Sequence, residues 1–173
     1  MDRDHVNAML RDYRDNLGRC GHLRMEIKRN EMQIARALES FRKEAAGPSV
    51  SRLTDAPRGS VPGDPTAALG LMLAGDEVPE DSPQGREIAR LRLENARLAA
   101  ELDVRQMKVE YVDSWLNGLT DRERWVIEHH IIDREIWYDV MIAFNKRYTD
   151  DVSKDRLKRL QTRALERIYA IAS

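Results

Sequence analysis

Mostly apolar residues recur at alternating steps of three and four through the first 46 residues, with Arg24 and Glu31 as polar positions. The seam consists of Val6, Leu10, Tyr13, Leu17, Cys20, Arg24, Ile27, Glu31, Ile34, Leu38 and Phe41. This heptad spacing predicts one long helix over residues 1–46 with a stripe for a coiled-coil partner. Gly18 and Gly21 favour a kink within it, and the pair Gly47 and Pro48 is typical of a helix end.

A second seam follows Ser82 and Pro83, a pair typical of a helix start. Its members are Ile88, Leu91, Asn95, Leu98, Leu102, Arg105, Val109, Val112, Leu116 and Leu119. We therefore predict a second long helix over residues 83–118. Two seams of similar length favour an antiparallel hairpin within one chain, in a register that brings Val6 near Val112. Pairing between two chains is the alternative, so we expect a monomer or a homodimer through the heptad helices.

Residues 47–82 differ from both seams because they are rich in Gly, Pro, Ser and Asp. Two basic residues stand against six acidic residues, a net charge of −4. This composition predicts a flexible acidic linker. Its one apolar island, residues 66–73, is interpreted either as a helical turn that packs on a neighbouring helix or as a docking peptide for a partner.

Residues 119–173 predict a small domain of three helices. Thr120 and Glu123 have the spacing of a capping box, which begins a helix over residues 121–132. A second helix, from about Arg134, has a predicted inner face of Trp137, Val140, Met141, Phe144 and Tyr148. A third begins at Ser153, with an apolar stripe of Leu157, Leu160, Ala164 and Ile168. The fold class is therefore all-α, a helical hairpin followed by this domain.

Charge singles out the third helix. Lys154, Arg156, Lys158, Arg159, Arg163 and Arg167 stand against Asp155 and Glu166, a net charge of +4 in a chain whose total is −1. A solvated face near a helix C-terminus explains Arg163 and Arg167, but cations at a helix start oppose the helix dipole. Lys154 and Lys158 therefore indicate an external anion, such as DNA phosphate.

The rest of the sequence predicts no enzyme, no cofactor and no metal site. The segment Glu128-His129-His130 and Asp133 is the only cluster that resembles a metal or catalytic site, but neighbouring His side chains on an α-helix point about 100° apart. We expect one of these His residues in the core and one at the surface. Phosphate loops, nucleophile elbows and Cys pairs are absent, and Cys20 is interpreted as an apolar filler.

The ends of the chain and its apolar runs bear on location. The first five residues are too charged for a signal peptide. The longest uncharged run, residues 65–75, falls short of the roughly 20 residues of a membrane helix. We expect a cytoplasmic protein without a membrane partner.

Four short stretches of the C-terminal domain resemble the fourth conserved region of bacterial sigma factors. They are Leu116-Asn117-Gly118-Leu119, Arg122-Glu123-Arg124-Trp125-Val126-Ile127, Ser153-Lys154-Asp155-Arg156-Leu157 and Ala164-Leu165-Glu166-Arg167-Ile168. Residues 145–151 depart from the pattern, because they lack the Gly of the short turn that precedes the recognition helix. The resemblance implies a helix-turn-helix domain that binds double-stranded DNA.

The resemblance also implies roles for individual residues. It implies base contacts from Lys154, Asp155, Lys158 and Arg159, a helix cap from Ser153, and phosphate contacts from Arg156 and Arg163, with a further contribution from Lys146 or Arg147.

The whole architecture resembles phage late-gene transcriptional regulators of the ArpU/RinA type. The implied function is control of late operons at a promoter element in a bacterial host, with host RNA polymerase as a second partner. One alternative is a DNA-packaging recognition subunit similar to small terminases, which assembles as a ring. Another is a coiled-coil adaptor whose basic helix binds protein.

Overall fold

The computed structural model describes residues 1–45, 78–79 and 81–173. These residues form helices and no strand, so the predicted all-α class is confirmed. The helices are α1 (Arg3–Arg11), α2 (Tyr13–Ala45), α3 (Pro83–Asn117), α4 (Asp121–Ile127), a π-helical turn (Glu128–Ile132), α5 (Trp137–Tyr148) and α6 (Lys154–Ala172). Most of the predicted linker, including its apolar island, lies outside the described residues.

The chain divides into two compact units. Unit 1 comprises residues 1–24 and 100–173, and unit 2 comprises residues 25–99. The long helices α2 and α3 therefore each contribute residues to both units.

The N-terminal helix is interrupted where the sequence did not predict it. Asp12 separates α1 from α2 with φ −89° and ψ 0°, whereas Gly18 and Gly21 lie within the continuous helix α2. The Arg134 side chain donates a hydrogen bond of 3.3 Å to the carbonyl of Arg11, directly before the interruption. An outside donor at a helix carbonyl is a recognised cause of a local disturbance of the helix. The kink at Gly18 and Gly21 stays a prediction.

The seam predicted on α2 was wrong at three positions. Leu17, Arg24 and Glu31 are exposed, whereas the residue before each of them, in turn Asn16, Leu23 and Asn30, is buried. From hydropathy alone, the side chains of Asn16 and Asn30 are expected at the surface and Leu17 is expected in the core. The two Asn side chains are buried because each has a hydrogen-bond partner, Arg105 for Asn16 at 3.0 Å and Asn95 for Asn30 at 2.9 Å.

Polar bonds between α2 and α3 in unit 1 show that the two helices run antiparallel there. The Tyr13 hydroxyl donates to Asp113 at 2.7 Å, and the Arg19 guanidinium donates to Glu101 at 3.1 and 3.2 Å. Residue numbers rise on one helix as they fall on the other. Burial and the bond to Asp113 raise the pKa of Tyr13 to about 12, so its hydroxyl remains a donor at neutral pH.

Unit 2 contains an amide pair, buried Asn30 and half-buried Asn95, that a mutation can test. In Asn30→Leu, the Asn95 amide loses its partner, and we expect the free energy of unfolding to fall by about 1–2 kcal/mol. The double change Asn30→Leu and Asn95→Leu replaces both amides with apolar groups and should recover most of that loss. Urea unfolding followed by circular dichroism measures both variants. A single variant as stable as wild type would contradict the role of the pair.

The main core of unit 1 joins both ends of the chain. Val6, Met9 and Leu10 of α1 lie in one cluster with residues from the end of α3, from α4 and the π-helical turn, and from α6: Val112, Trp115, Leu116, Ile127, Ile132, Ala164 and Ile168. The predicted register brings Val6 near Val112, and both belong to this cluster. The packing of α1 on α6 is a feature that the sequence patterns did not predict.

A second cluster holds α5 between α4 and α6. Val140 and Phe144 are buried in it with Trp125, Val126, Val152 and Leu157, and Trp137, Met141 and Tyr148 pack against it. The predicted inner face of α5 is therefore confirmed.

The end of the first helix of the C-terminal domain differs from the prediction. The α-helix ends at Ile127, and residues 128–132 continue as a π-helical turn. His129 and His130 are both half-buried, and their rings lie 3.9 Å from the rings of Trp125 and Trp137, respectively. The expectation of one core and one surface His was wrong, because each imidazole lies half-buried against an indole, with the ring planes tilted by 32° and 44°.

Candidate nucleic-acid interface

The start of α4 is fixed by a buried carboxylate. Thr120 is the N-cap residue, and its hydroxyl accepts from the Glu123 backbone while the Glu123 side chain accepts from the Thr120 backbone. This is the predicted capping box. Glu123 also accepts 2.8 Å bonds from the Thr120 hydroxyl and from Arg167 of α6. One side chain therefore ties the start of α4 to α6.

The turn between α5 and α6 is held by Asn145. Its amide accepts from the backbone N–H of Val152 at 2.9 Å and donates to the Val152 carbonyl at 3.2 Å. Thr149 ends α5 in the left-handed conformation, with φ 53°, at the place where glycine is usual. The turn without glycine is thus a loop after Tyr148, and Asn145 fixes its far end.

Helix α6 places its apolar stripe in the core and its cations outside. Leu157, Ala164 and Ile168 are buried. Ser153 occupies the N-cap position, but its side chain makes no capping hydrogen bond. The predicted side-chain cap is therefore wrong. The first backbone N–H groups of α6 lack that acceptor, and such groups attract anions.

Arginines from two helices meet at one surface pocket, here called the arginine pocket. Its volume is about 460 Å³, and its lining is Arg122, Arg156, Arg159, Arg163, Ser153, Phe144, Val152, Leu157 and Leu160. Positions 156, 159 and 163 follow steps of three and four, so they share one face of α6. The pocket is therefore lined by four arginines together with apolar residues, and it is a site of positive potential.

The arginines of the pocket differ in their partners. Arg122 forms a 2.7 Å ion pair with Asp150, and its guanidinium carbon lies 5.1 Å from the centroid of the Tyr148 ring. The side chains of Arg156, Arg159 and Arg163 have no acidic partner among the residues that the structure describes. These three exposed arginines are therefore not neutralised by any described residue, and their charges face solvent.

The other predicted DNA-binding residues lie outside the pocket. Lys154, Asp155 and Lys158 are exposed on α6, and Lys146 and Arg147 lie at the end of α5. The Arg147 guanidinium carbon lies 5.6 Å from the centroid of the Tyr148 ring. Lys154 and Lys158 stand four residues apart on a strip of α6 separate from the arginines of the pocket, here called the lysine strip. The predicted set is thus divided between the pocket and this neighbouring strip.

Sequence reasoning missed Arg122. It lies in the first turn of α4, where a cation opposes the helix dipole. The unfavourable dipole that singled out Lys154 acts equally on Arg122, so a signal was present. The ion pair with Asp150 offsets part of the unfavourable interaction between Arg122 and the helix dipole.

Comparisons with known proteins add no family or function to the residues described above. Within the described ranges, no helix combines the length and apolar character needed to cross a membrane. A scan against models of protein families and searches of curated proteins and of solved structures found no match to this chain.

Proposed function

We propose that this protein is a non-enzymatic, sequence-specific DNA-binding transcriptional regulator that reads DNA with α6. The observation that carries the proposal is the set of cations on α6 that have no acidic partner among the described residues: Lys154, Arg156, Lys158, Arg159 and Arg163. They project from a helix whose opposite side is buried in the core. A local concentration of cations in a chain of net charge −1 fits a partner rich in phosphate.

The two groups of cations suit different parts of a DNA duplex. Guanidinium groups bind phosphate oxygens through planar, paired hydrogen bonds, so Arg122, Arg156 and Arg163 are assigned to the sugar-phosphate backbone. The lysine strip, with Asp155 and Arg159, projects from the first turns of α6, the part of a recognition helix that meets base edges. Asp155 is suited to accept from a cytosine amino group.

The biological setting is proposed from the resemblance to regulators of the ArpU/RinA type and to sigma region four. Control of a phage late operon in a bacterial host follows from that resemblance. Host RNA polymerase is proposed as a second partner on the same ground. The support is the arrangement of sequence motifs around α4 and α6, together with the exposed cations of α6.

The proposal is tested by fluorescence anisotropy with duplex fragments from the genomic neighbourhood of the gene, over a salt series. The logarithm of the affinity should fall with the logarithm of the salt concentration, with a slope of about 0.9 for each phosphate contacted. The triple change of Arg122, Arg156 and Arg163 to Ala should lower that slope by about 0.9 for each phosphate that is no longer neutralised. The double change of Lys154 and Lys158 to Ala should reduce discrimination between fragments, at about 1–3 kcal/mol for each base-specific hydrogen bond that is removed.

A matched control removes the same charge elsewhere. Arg92, Arg97 and Lys108 are exposed on α3, and their triple change to Ala should leave the slope close to that of wild type. Absence of binding at low salt would contradict the proposal and favour the adaptor alternative. An equal fall of the slope in the control variant would show that α6 is not the DNA-contacting helix. A ring of eight or more subunits in light scattering would favour the packaging alternative.

A further inference from the structure

Three potential metal ligands converge at the end of the π-helical turn, apart from the arginine pocket. They are His129, Asp133 and Glu135, and one ligand atom from each lies within 4.8 Å of the others. The sequence predicted no metal site because this segment was assigned to a regular α-helix and Glu135 was not among the candidates. In the folded chain, residues 128–132 are π-helical instead of α-helical. Glu135 folds back onto this turn and joins the candidate ligands.

The backbone brings these side chains together. The N–H of Asp133 donates to the Glu128 carbonyl at 2.8 Å and ends the π-helical turn. Arg134 then adopts a left-handed conformation with φ 59°, which reverses the chain. The N–H of Glu135 returns to the His129 carbonyl at 2.9 Å. Main-chain hydrogen bonds thus fix the backbone from which the three ligand side chains extend.

The His129 ring has a defined orientation. It lies 3.9 Å from the Trp125 ring, and its Nδ1 is 2.9 Å from Oε1 of Glu135. The neighbouring His130 is within 2.9 Å of the Glu135 carbonyl through its own Nδ1. It therefore helps to position Glu135 and is not itself a ligand. Such support reduces the reorganisation that binding requires.

We propose that His129, Asp133 and Glu135 bind a divalent transition-metal ion, with Zn²⁺ as the best fit. An imidazole nitrogen and carboxylate oxygens are both ligand types that Zn²⁺ accepts, and three protein ligands leave a fourth position for water. Zinc–ligand distances of about 2.0–2.2 Å place ligand atoms at most about 4 Å apart, so small side-chain rotations close the site. The three side chains retain 30%, 28% and 35% of their exposure, so water can complete the coordination.

Arg14 is the group that competes with the metal. Its guanidinium contacts both Asp133 oxygens, at 2.7 Å and 3.3 Å. The Arg14 side chain is 54% exposed, so it can rotate into solvent when a cation binds Asp133. Removal of Arg14 should therefore strengthen metal binding, which distinguishes a metal site from a purely hydrogen-bonded cluster.

Isothermal titration of the full chain with ZnCl₂, and absorption spectra with CoCl₂, test the proposal without reference to DNA. We expect one saturable site per chain. His129→Gln and Glu135→Gln should each weaken binding at least tenfold, and Arg14→Ala should strengthen it several-fold. His5→Gln, which removes an exposed imidazole outside the cluster, should leave the affinity unchanged.

Two results would overturn the proposal. One is the absence of a saturable site in the wild-type chain. The other is an affinity that is equal in wild type, Glu135→Gln and His129→Gln, which would mean non-specific binding. Circular dichroism establishes that each variant is folded. Glu135→Gln provides a test even if the loss of the contact between the His129 and Trp125 rings unfolds the other variant.

Discussion

Leu10→Ala is expected to lower the free energy of unfolding of unit 1 by about 2–5 kcal/mol. Leu10 is fully buried and lies in one cluster with Leu116 of α3 and Ile168 of α6. Truncation removes its apolar contacts and leaves a cavity between elements from both ends of the chain. Urea unfolding with the slope held equal to wild type gives the change in free energy. The basic helix α6 should melt in the same transition.

Leu17→Ala is the matched control. The Leu17 residue is 41% exposed, although hydropathy placed it in the seam. Its truncation should therefore cost much less than that of Leu10. Equal costs for the two variants would contradict the observed packing of α1 and α2. A Leu10→Ala variant in which α6 retains its stability would show that residues 119–173 fold independently of α1.

Glu123→Ala is expected to cost about 2–3 kcal/mol. The Glu123 residue is only 2% exposed, and its carboxylate accepts bonds from the Thr120 backbone, the Thr120 hydroxyl and Arg167. Loss of a capping box costs roughly 1 kcal/mol, and loss of the charge-assisted hydrogen bond from Arg167 costs about 1–2 kcal/mol more. Arg167 remains 48% exposed and recovers water, which keeps the total below that of a fully buried pair.

Single changes around Glu123 separate these contributions. Thr120→Ala removes only the cap and should cost about 1 kcal/mol. Glu166→Ala, at an acidic residue next to Arg167 on the same helix, should change stability by less than about 0.5 kcal/mol. Thermal and urea unfolding measure all of them. If Glu123→Ala were as mild as Glu166→Ala, the carboxylate would not be the link between α4 and α6.

The sequence predicted the helices better than the packing between them. Local signals such as the capping box at Thr120 and the start at Pro83 depend on neighbouring residues alone, and both are present. The seam of α3 also follows the prediction, because its members are buried or half-buried. The α2 seam failed where Asn16 and Asn30 replace apolar residues. Their burial depends on partners on α3, which periodicity does not encode.

In the candidate interface too, the sequence predicted local features better than contacts between helices. The excess of cations on α6 is a property of the sequence, and the side chains of Lys154 and Lys158 are exposed as expected. The arginine pocket depends on the approach of α4 to α6, so Arg122 was not predicted to join it. The ligand cluster around His129 depends on a π-helical turn and on a left-handed Arg134. Neither conformation has a distinctive residue pattern.

The core that joins α1 to α6 affects how the protein is made. Synthesis proceeds from the N-terminus at about 5–20 residues per second, so roughly 8 to 32 seconds separate the appearance of Val6 from that of Ile168. During this time α1 lacks its partners on α6 and presents its apolar side to solvent or to the ribosome surface. Unit 1 therefore completes its folding only after α6 has left the ribosomal tunnel. Contacts between residues so distant in sequence also slow the folding of a released chain.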